Sequence, residues 1–472
     1  MRLLTALLLL VIPVAAQERD VLVLAKTQLL ADAKAFDVFC KKHAKTPRSK
    51  LRKQIVAQLK QIAAAEQPKI LKALGNPKNA RSLWLINAVV VRLDAAAIAK
   101  ARAHELVKWV YPAGRVFPMG DAGKVEEVLE PTARKPFSTD KKTIPWNLKM
   151  LHVPEAWKRG ARGDGVVVAM FDAGMNYSHT DLRNNVWINP DEIANNGKDD
   201  DGNGFVDDLY GFNFTAGKAD VKNPKIHHGT LTSSIVAGDG SGGQITGVAP
   251  RARLMALIAN GGPYNAARGF QYALEEGADI VNMSFSIPNL GNVRGLWRRM
   301  AEHATCAGLV LISGAGNFPK EPEFKQIRIP EGIPCVICVG GVNRRKGFAR
   351  FTSQGPVEWG KVKFYEDYPE DAPLIKPDVA AFPGPGTGLI QPGNEGYQPE
   401  NNRFRGNSLS APHVAGVCAL ILSVNRDLTP WRVREILETT AEDLGPEGKD
   451  AKFGAGLVNA DAAVAAAVEA KR

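Results

Sequence analysis

The chain has 472 residues, 45% apolar and 23% charged, which excludes a disordered or fibrous protein and allows about two to four globular domains. Its net charge of +11 invites a nucleic-acid or acidic-membrane partner, but the surplus is local. Residues 17–140 carry 23 Lys and Arg against 12 Asp and Glu, whereas residues 141–472 carry 36 against 37, so the larger part is neutral and no nucleic-acid partner is expected.

Met1-Arg2, an apolar run over 3–14 and then Ala15-Ala16-Gln17 form the pattern of a secretory signal at 1–16, cut after Ala16. The run is shorter than the roughly 20 residues of a membrane-spanning helix. The mature protein is therefore expected to be secreted or periplasmic, with no membrane association once the signal is removed. Residues 17–75 are rich in Ala, Lys, Leu and Gln, with Leu51, Ile55, Leu59 and Ile62 at helical spacing, and read as a basic helical segment. A strand over 83–93, an Ala-rich helix over 95–106 and a short strand over 107–111 follow. Residues 112–145 carry Pro, Gly and charge without periodicity and read as a linker.

From Trp146 to residue 472 short β-rich runs alternate with helical stretches, the pattern of an α/β domain with a mainly parallel sheet. Strands are predicted over 166–171, 253–258, 280–284, 309–313, 336–340 and 379–381. Most are continuous apolar runs, as expected where helices cover both faces of the sheet. The irregular stretches 184–225 and 354–405 are long for simple connections and read as ion-binding or substrate-facing loops. Five cysteines cannot staple a chain of this length. Cys335 and Cys338 lie in an apolar strand and read as buried small hydrophobes, with one disulfide among the cysteines left open.

In such sheets the chemistry sits outside the carboxyl ends of the strands. Asp172-Ala173-Gly174 follows the first body strand, and Gly314-Ala315-Gly316-Asn317 follows the fourth. His228-Gly229-Thr230 opens one helix and Gly406-Asn407-Ser408 another. A serine is a poor nucleophile until a base takes its proton, and an imidazole base needs a carboxylate to hold its tautomer and stabilise its charged form. Asp172, His228 and Ser408 can fill those roles. Backbone N–H groups at the helix start and the Asn317 amide can hold an oxyanion.

The runs 166–174, 228–230 and 406–416 resemble, in order, the three active-site motifs of the subtilisin-like serine peptidases. Gly247-Val248-Ala249-Pro250, the stretch 279–284 and the late 453–460 agree with the resemblance, which covers about 146–465. It implies a subtilisin-like three-layer α/β fold with a mainly parallel central sheet, preceded by a small α+β prodomain within 17–111 and a processing region within 112–145. It implies a serine endopeptidase with Asp172, His228 and Ser408 as triad and Asn317 as oxyanion donor. Ser284, Phe285, Ser286, Gly314, Ala315 and Gly316 would line the substrate. Partners would be protein or peptide substrates and the chain's own prodomain, acting as intramolecular inhibitor of a monomeric zymogen. A permanent N-terminal domain and a catalytically silent, peptide-binding relative are the alternatives.

Departures are visible. Ala173 stands where the family has Ser or Thr, Leu231 where a second histidine is usual, and Asn407 where a threonine precedes the nucleophile. Ser286 replaces a glycine of the substrate-lining segment, which makes a narrower or more polar first pocket. No cofactor is required for the chemistry. The acidic loop 199–208 has the oxygen density of a structural calcium site, with Asp199, Asp201, Asn203 and Asp207 as candidate ligands. Tyr210 stands where an EF-hand needs its bidentate glutamate, so the choice is between another calcium loop and a solvated acidic turn.

Overall fold

In the computed structural model, residues 18–114, 116, 125–129, 136–223, 225–288, 291–360 and 362–471 are described. The predicted signal at 1–16 lies outside them, as does part of the predicted linker. The N-terminal unit runs β1 (Arg19–Ala25), α1 (Ala35–Lys42), α2 (Arg48–Ala73), β2 (Arg81–Leu83), β3 (Ala88–Leu93), α3 (Ala95–Ala103) and β4 (Val107–Pro112). Its sheet is antiparallel, in the order β2-β3-β1-β4. The sequence reading of 17–75 as wholly helical is corrected here: Val21 to Ala25 form a buried strand at the centre of the sheet. A five-residue apolar run has no period of its own, and only its sheet neighbours select the extended form. The strand predicted over 83–93 is also interrupted, by a 3-10 turn at Trp84–Ile86 that ends with Asn87 at φ 41°.

Alternation along β1 splits the sheet's two faces. Val21, Val23 and Ala25 pack with Ile98 and Ala101 of α3, while Leu22 and Leu24 face the body of the molecule. The α2 stripe Leu51, Ile55, Leu59 and Ala63 joins that second cluster. Docking is polar as well as apolar. Arg48 is buried, with a guanidinium nitrogen 2.7 Å from Asp279 and another donating to the Arg426 carbonyl at 2.9 Å. Part of the basic segment's charge is thus spent inside the interface.

The body is built on seven parallel strands in the order β11-β10-β9-β8-β5-β7-β6. They are β5 (Val167–Phe171), β6 (Gly211–Asn213), β7 (Arg253–Ile258), β8 (Ile280–Met283), β9 (Val310–Gly314), β10 (Ile337–Gly341) and β11 (Val379–Ala381). The six predicted strands are present within about one residue; β6 was missed because Gly-Phe-Asn is an edge strand without an apolar run. Along β5, Val168 and Met170 face one helical layer, and Ala169 and Phe171 face the other. The first layer holds α4 (Trp146–Met150), α5 (Val153–Lys158), α6 (His228–Ala237), α9 (Asn407–Val424), α10 (Pro430–Thr440) and α11 (Ala460–Glu469). The second holds α7 (Pro263–Glu275) and α8 (Val293–Cys306), on which the N-terminal unit rests. The result is a three-layer α/β fold. Helix α9 is long and apolar enough to cross a membrane by length and composition, but its residues Leu409 to Leu422 are buried in the core. The five cysteines are unbonded, and Cys306, Cys335, Cys338 and Cys418 are buried.

Candidate active site

Two strand ends and two helix starts meet at the carboxyl edge of the sheet. Asp172 follows β5, and its N–H still donates to the Leu257 carbonyl of the neighbouring strand at 3.1 Å. His228 is the first residue of α6, and Gly229 lets that helix come close: a Cβ at 229 would lie 2.1 Å from the Gly174 carbonyl oxygen. The His228 Nδ1 is 2.8 and 2.9 Å from the two Asp172 carboxylate oxygens. Burial of His228 opposes its charge, but the Asp172 carboxylate and its hydrogen bond outweigh this and raise the imidazole pKa above 6.5.

The Asp172 carboxylate has two further donors, the Ala173 N–H at 2.7 Å and the Thr232 hydroxyl at 3.0 Å. The hydroxyl missing at Ala173 is thus supplied from α6. Sequence reasoning missed Thr232, although its spacing of four residues from His228 puts both on one helix face. Leu231, in place of the second histidine, packs with Ile235, Leu389 and Leu409 and so draws the start of α6 against the start of α9.

Ser408 is the second residue of α9 and is half-buried. The helix start abuts β9 closely, since a Cβ at Gly314 would lie 2.2 Å from the Asn407 carbonyl oxygen. The Asn317 Oδ1 accepts the Asn407 N–H at 2.9 Å, which turns the Asn317 Nδ2 donor the other way. A Cβ built on Gly406 would lie 3.2 Å from both that Nδ2 and the Ser408 Oγ, so glycine keeps the space between amide and hydroxyl clear. Asn407 itself is buried, donating to the Gly316 carbonyl at 2.5 Å and accepting from Thr352 at 3.4 Å and Ser410 at 3.3 Å. It ties the helix of Ser408 to the loop that carries Asn317. His413, on the same helix, is the wrong histidine for this chemistry: it is buried, bonded to the Leu409 carbonyl and to Asn147, and burial pushes its pKa to about 4.

The substrate-lining candidates flank the same place. Ser284 Oγ donates to the Ser408 carbonyl at 2.9 Å, and Ser313 Oγ lies 3.5 Å from the Phe285 carbonyl. Phe285 and Ser286 line a cavity of about 400 Å³ together with Gly261, Gly262, Pro112 and Gly114. Such an arrangement can activate a hydroxyl, deliver a proton and hold a developing oxyanion. Exchanging Asn317 for alanine should lower kcat about 10²- to 10³-fold with KM little changed in steady-state peptide hydrolysis, the size known for subtilisin's own oxyanion amide. An equal loss in KM alone would place Asn317 in ground-state binding instead.

The acidic loop is arranged differently from its prediction. Asp199 accepts the Gly204 N–H at 2.9 Å with one oxygen, its other being buried without a partner, while Asp207 accepts the N–H groups of Asn196 and Gly197 at 2.9 and 3.0 Å and so serves the loop's own backbone. Asn203 presents its amide nitrogen to Asp201 and Asp208, at 2.9 and 3.1 Å. Of the four candidates only Asp201 offers an oxygen to a cluster, whose other members are Glu192 and Asp208, with ligand atoms within 4.8 Å of one another. Sequence spacing could not find Glu192, which precedes the acidic run. Burial first, and then the neighbouring carboxylates, push Glu192 up to about 7 and Asp208 to about 6. Glu192 Oε2 is buried without a hydrogen-bond partner, so the residues fit a hard divalent cation.

A parallel sheet between two helical layers, with Asp172, His228, Ser408 and Asn317 at its carboxyl edge, is the arrangement expected of a serine hydrolase. The Subtilase family model matches residues 163–456, and the chain belongs to the subtilase family of serine endopeptidases. It is similar to Subtilisin DY of Bacillus licheniformis, 28% identical over 326 residues, covering 68% of this chain and 98% of that one. A probable subtilase-type serine protease of Deinococcus radiodurans is 31% identical over 323 residues, or 66% of this chain and 42% of its own length. Fervidolysin of Fervidobacterium pennivorans is 26% identical over 438 residues, 85% of this chain and 57% of its own, so that match reaches beyond the body into the N-terminal unit.

Proposed function

We propose that the chain is a secreted endopeptidase made as a self-processed precursor. Ser408 attacks the peptide carbonyl, His228 takes its proton and passes it to the leaving amine, Asp172 holds the imidazole, and Asn317 with the Ser408 N–H stabilises the oxyanion. The observation that carries this reading is the His228 Nδ1 held by both oxygens of Asp172, which leaves Nε2 as the base. Self-processing is supported by the end of β4. The Tyr264 N–H donates to the Ala113 carbonyl at 3.1 Å, and Pro112 and Gly114 share the cavity of Phe285 and Ser286. Further along, the Val125 N–H donates to Asn195 and the Leu129 N–H to the Tyr210 hydroxyl, at 2.8 and 2.6 Å. The N-terminal unit thus delivers the chain to the cleft like a substrate and acts as its inhibitor until the chain is cut. Intact-mass measurement of the purified precursor beside its Ser408→Ala variant tests this: the wild type loses its N-terminal segment between residues 111 and 146, and the variant keeps it. Equal masses over time would overturn self-processing.

The same proposal includes a structural calcium ion held by Glu192, Asp201 and Asp208, which would neutralise carboxylates otherwise forced together. A cation at about 100 times its Kd adds about 2.7 kcal/mol. Chelation should therefore lower the melting temperature of the body by about 4 °C, and Asp201→Ala should abolish that difference. A melting curve indifferent to chelator would remove the ion.

A further inference from the structure

At the amino edge of the sheet, away from the cleft, two helices of the body come to their ends. α7 closes at Glu276 and α8 at Ala307, and the chain leaves carbonyl oxygens at Ala278, Ala307 and Gly308 beyond the reach of intrahelical N–H groups. The N-terminal unit supplies the donors. Arg52 donates to the Ala278 carbonyl at 2.5 Å and to that of Ala307 at 3.5 Å, and Arg48 to that of Gly308 at 3.4 Å. A cation is also favoured at a helix carboxyl end by the macrodipole. The other two guanidinium nitrogens of Arg48 reach the Asp279 carboxylate at 2.7 Å and the Arg426 carbonyl at 2.9 Å, so the whole fork is paired in a side chain 6% exposed against one 2% exposed. The backbone adds to this, since the Arg48 N–H donates to the Asp427 carbonyl at 3.1 Å.

This grip is separate from the cleft. Asp279 precedes β8, whose other end leads to Ser284 beside Ser408, so a strand's length, on the order of 16 Å, lies between them. The unit therefore holds the body at two places, by Ala113 on Tyr264 in the cleft and by the first turns of α2 at the amino edge. A cut between residues 111 and 146 severs the chain and leaves every contact of Arg48 and Arg52 in place. The new carboxyl end then stays beside the cleft at a high effective concentration, because the second grip tethers it. Departure is still open to the unit: within the body Asp279 also bonds Arg426 at 3.2 and 3.3 Å and the Val167 N–H at 2.9 Å, so its carboxylate is not left bare.

We propose that Asp279 and the carbonyls at the ends of α7 and α8 form a second docking site, which binds the guanidinium pair of the cut N-terminal unit and keeps the processed enzyme latent. The inference rests on the self-processing reading above. Binding is measured apart from catalysis in the full chain carrying Ser408→Ala and a foreign protease site inserted within 117–124, cut at that site and followed by size exclusion under serial dilution. The two pieces should elute together, and Arg48→Ala should raise their Kd about 30-fold or more, the loss expected when one partner of a buried charge pair is removed. With Ser408 intact, the wild type should hydrolyse a peptide only after a delay that follows its own cut, and Arg48→Ala should shorten that delay. An equal Kd or an equal delay in the variant, or pieces that separate as soon as the reference chain is cut, overturns the proposal. A wild type that never cuts itself fails the self-processing reading, while the dilution series still decides the docking site. Should Arg48→Ala not fold, Arg52→Ala, at a half-buried side chain, should raise the Kd about 10-fold, and no rise there overturns the proposal equally.

Discussion

Replacing Ser408 with alanine is expected to lower kcat on a peptide substrate by about 10⁶-fold, the loss found when subtilisin's own nucleophile is removed. Among the described residues the neighbouring serines offer no substitute. Ser410 is buried and bonded to Asn407, and Ser284 is engaged by the Ser408 carbonyl. Residual turnover would come from Asn317 and the binding cleft, because oxyanion stabilisation does not need the nucleophile to be this serine. Adding His228→Ala to the Ser408 variant should cost almost nothing more, since the base has no proton left to take. Steady-state kinetics on the single and double variants check both statements; additive losses would mean that the two residues do not act as a unit.

Asp172→Asn should lower kcat by about 10⁴-fold, because an amide in place of the carboxylate holds the wrong imidazole tautomer. The pH profile should move as well, in a direction fixed by the His228 pKa. Catalysis needs the neutral imidazole, so kcat/KM falls as pH drops through a pKa that Asp172 holds above 6.5. Without the carboxylate charge, burial alone acts on His228, and the acid limb should shift to lower pH even as the plateau collapses. The same raised pKa contributes stability below the unfolded value of about 6.5, and that contribution is lost as pH rises through the folded value. The enzyme therefore works where His228 no longer stabilises the fold. An acid limb that stays in place in the variant would detach the imidazole's titration from Asp172.

The proposed triad could be picked out in the sequence because each member is embedded in residues that the backbone demands. Gly229 allows α6 to approach the Gly174 carbonyl, Gly314 allows α9 to approach β9, and Gly406 clears the space before Asn317. Those close approaches are what the three motifs encode. The body strands were legible as apolar runs for a similar reason: a sheet covered on both faces leaves no polar alternation to confuse them. What stayed hidden was set by tertiary neighbours. β1 is a strand only because β3 and β4 flank it, and β6 only because β7 offers an edge. Thr232 replaces a hydroxyl that a local reading of Asp172-Ala173 declares lost. Within the acidic loop, spacing named Asp199 and Asp207, which accept backbone N–H groups and lie outside the carboxylate cluster, and overlooked Glu192 and Asp208.

The most direct test of Asp172, His228 and Ser408 as one nucleophilic unit is labelling with an activated phosphonyl fluoride, whose fluoride is displaced by an ionisable serine oxygen to leave an O–P bond. Mass spectrometry of the processed protein should find one phosphonyl group per chain, on the peptide that contains Ser408, and none in Ser408→Ala or His228→Ala. A wild-type chain that remains unlabelled, or a label that persists on another residue in Ser408→Ala, would contradict it.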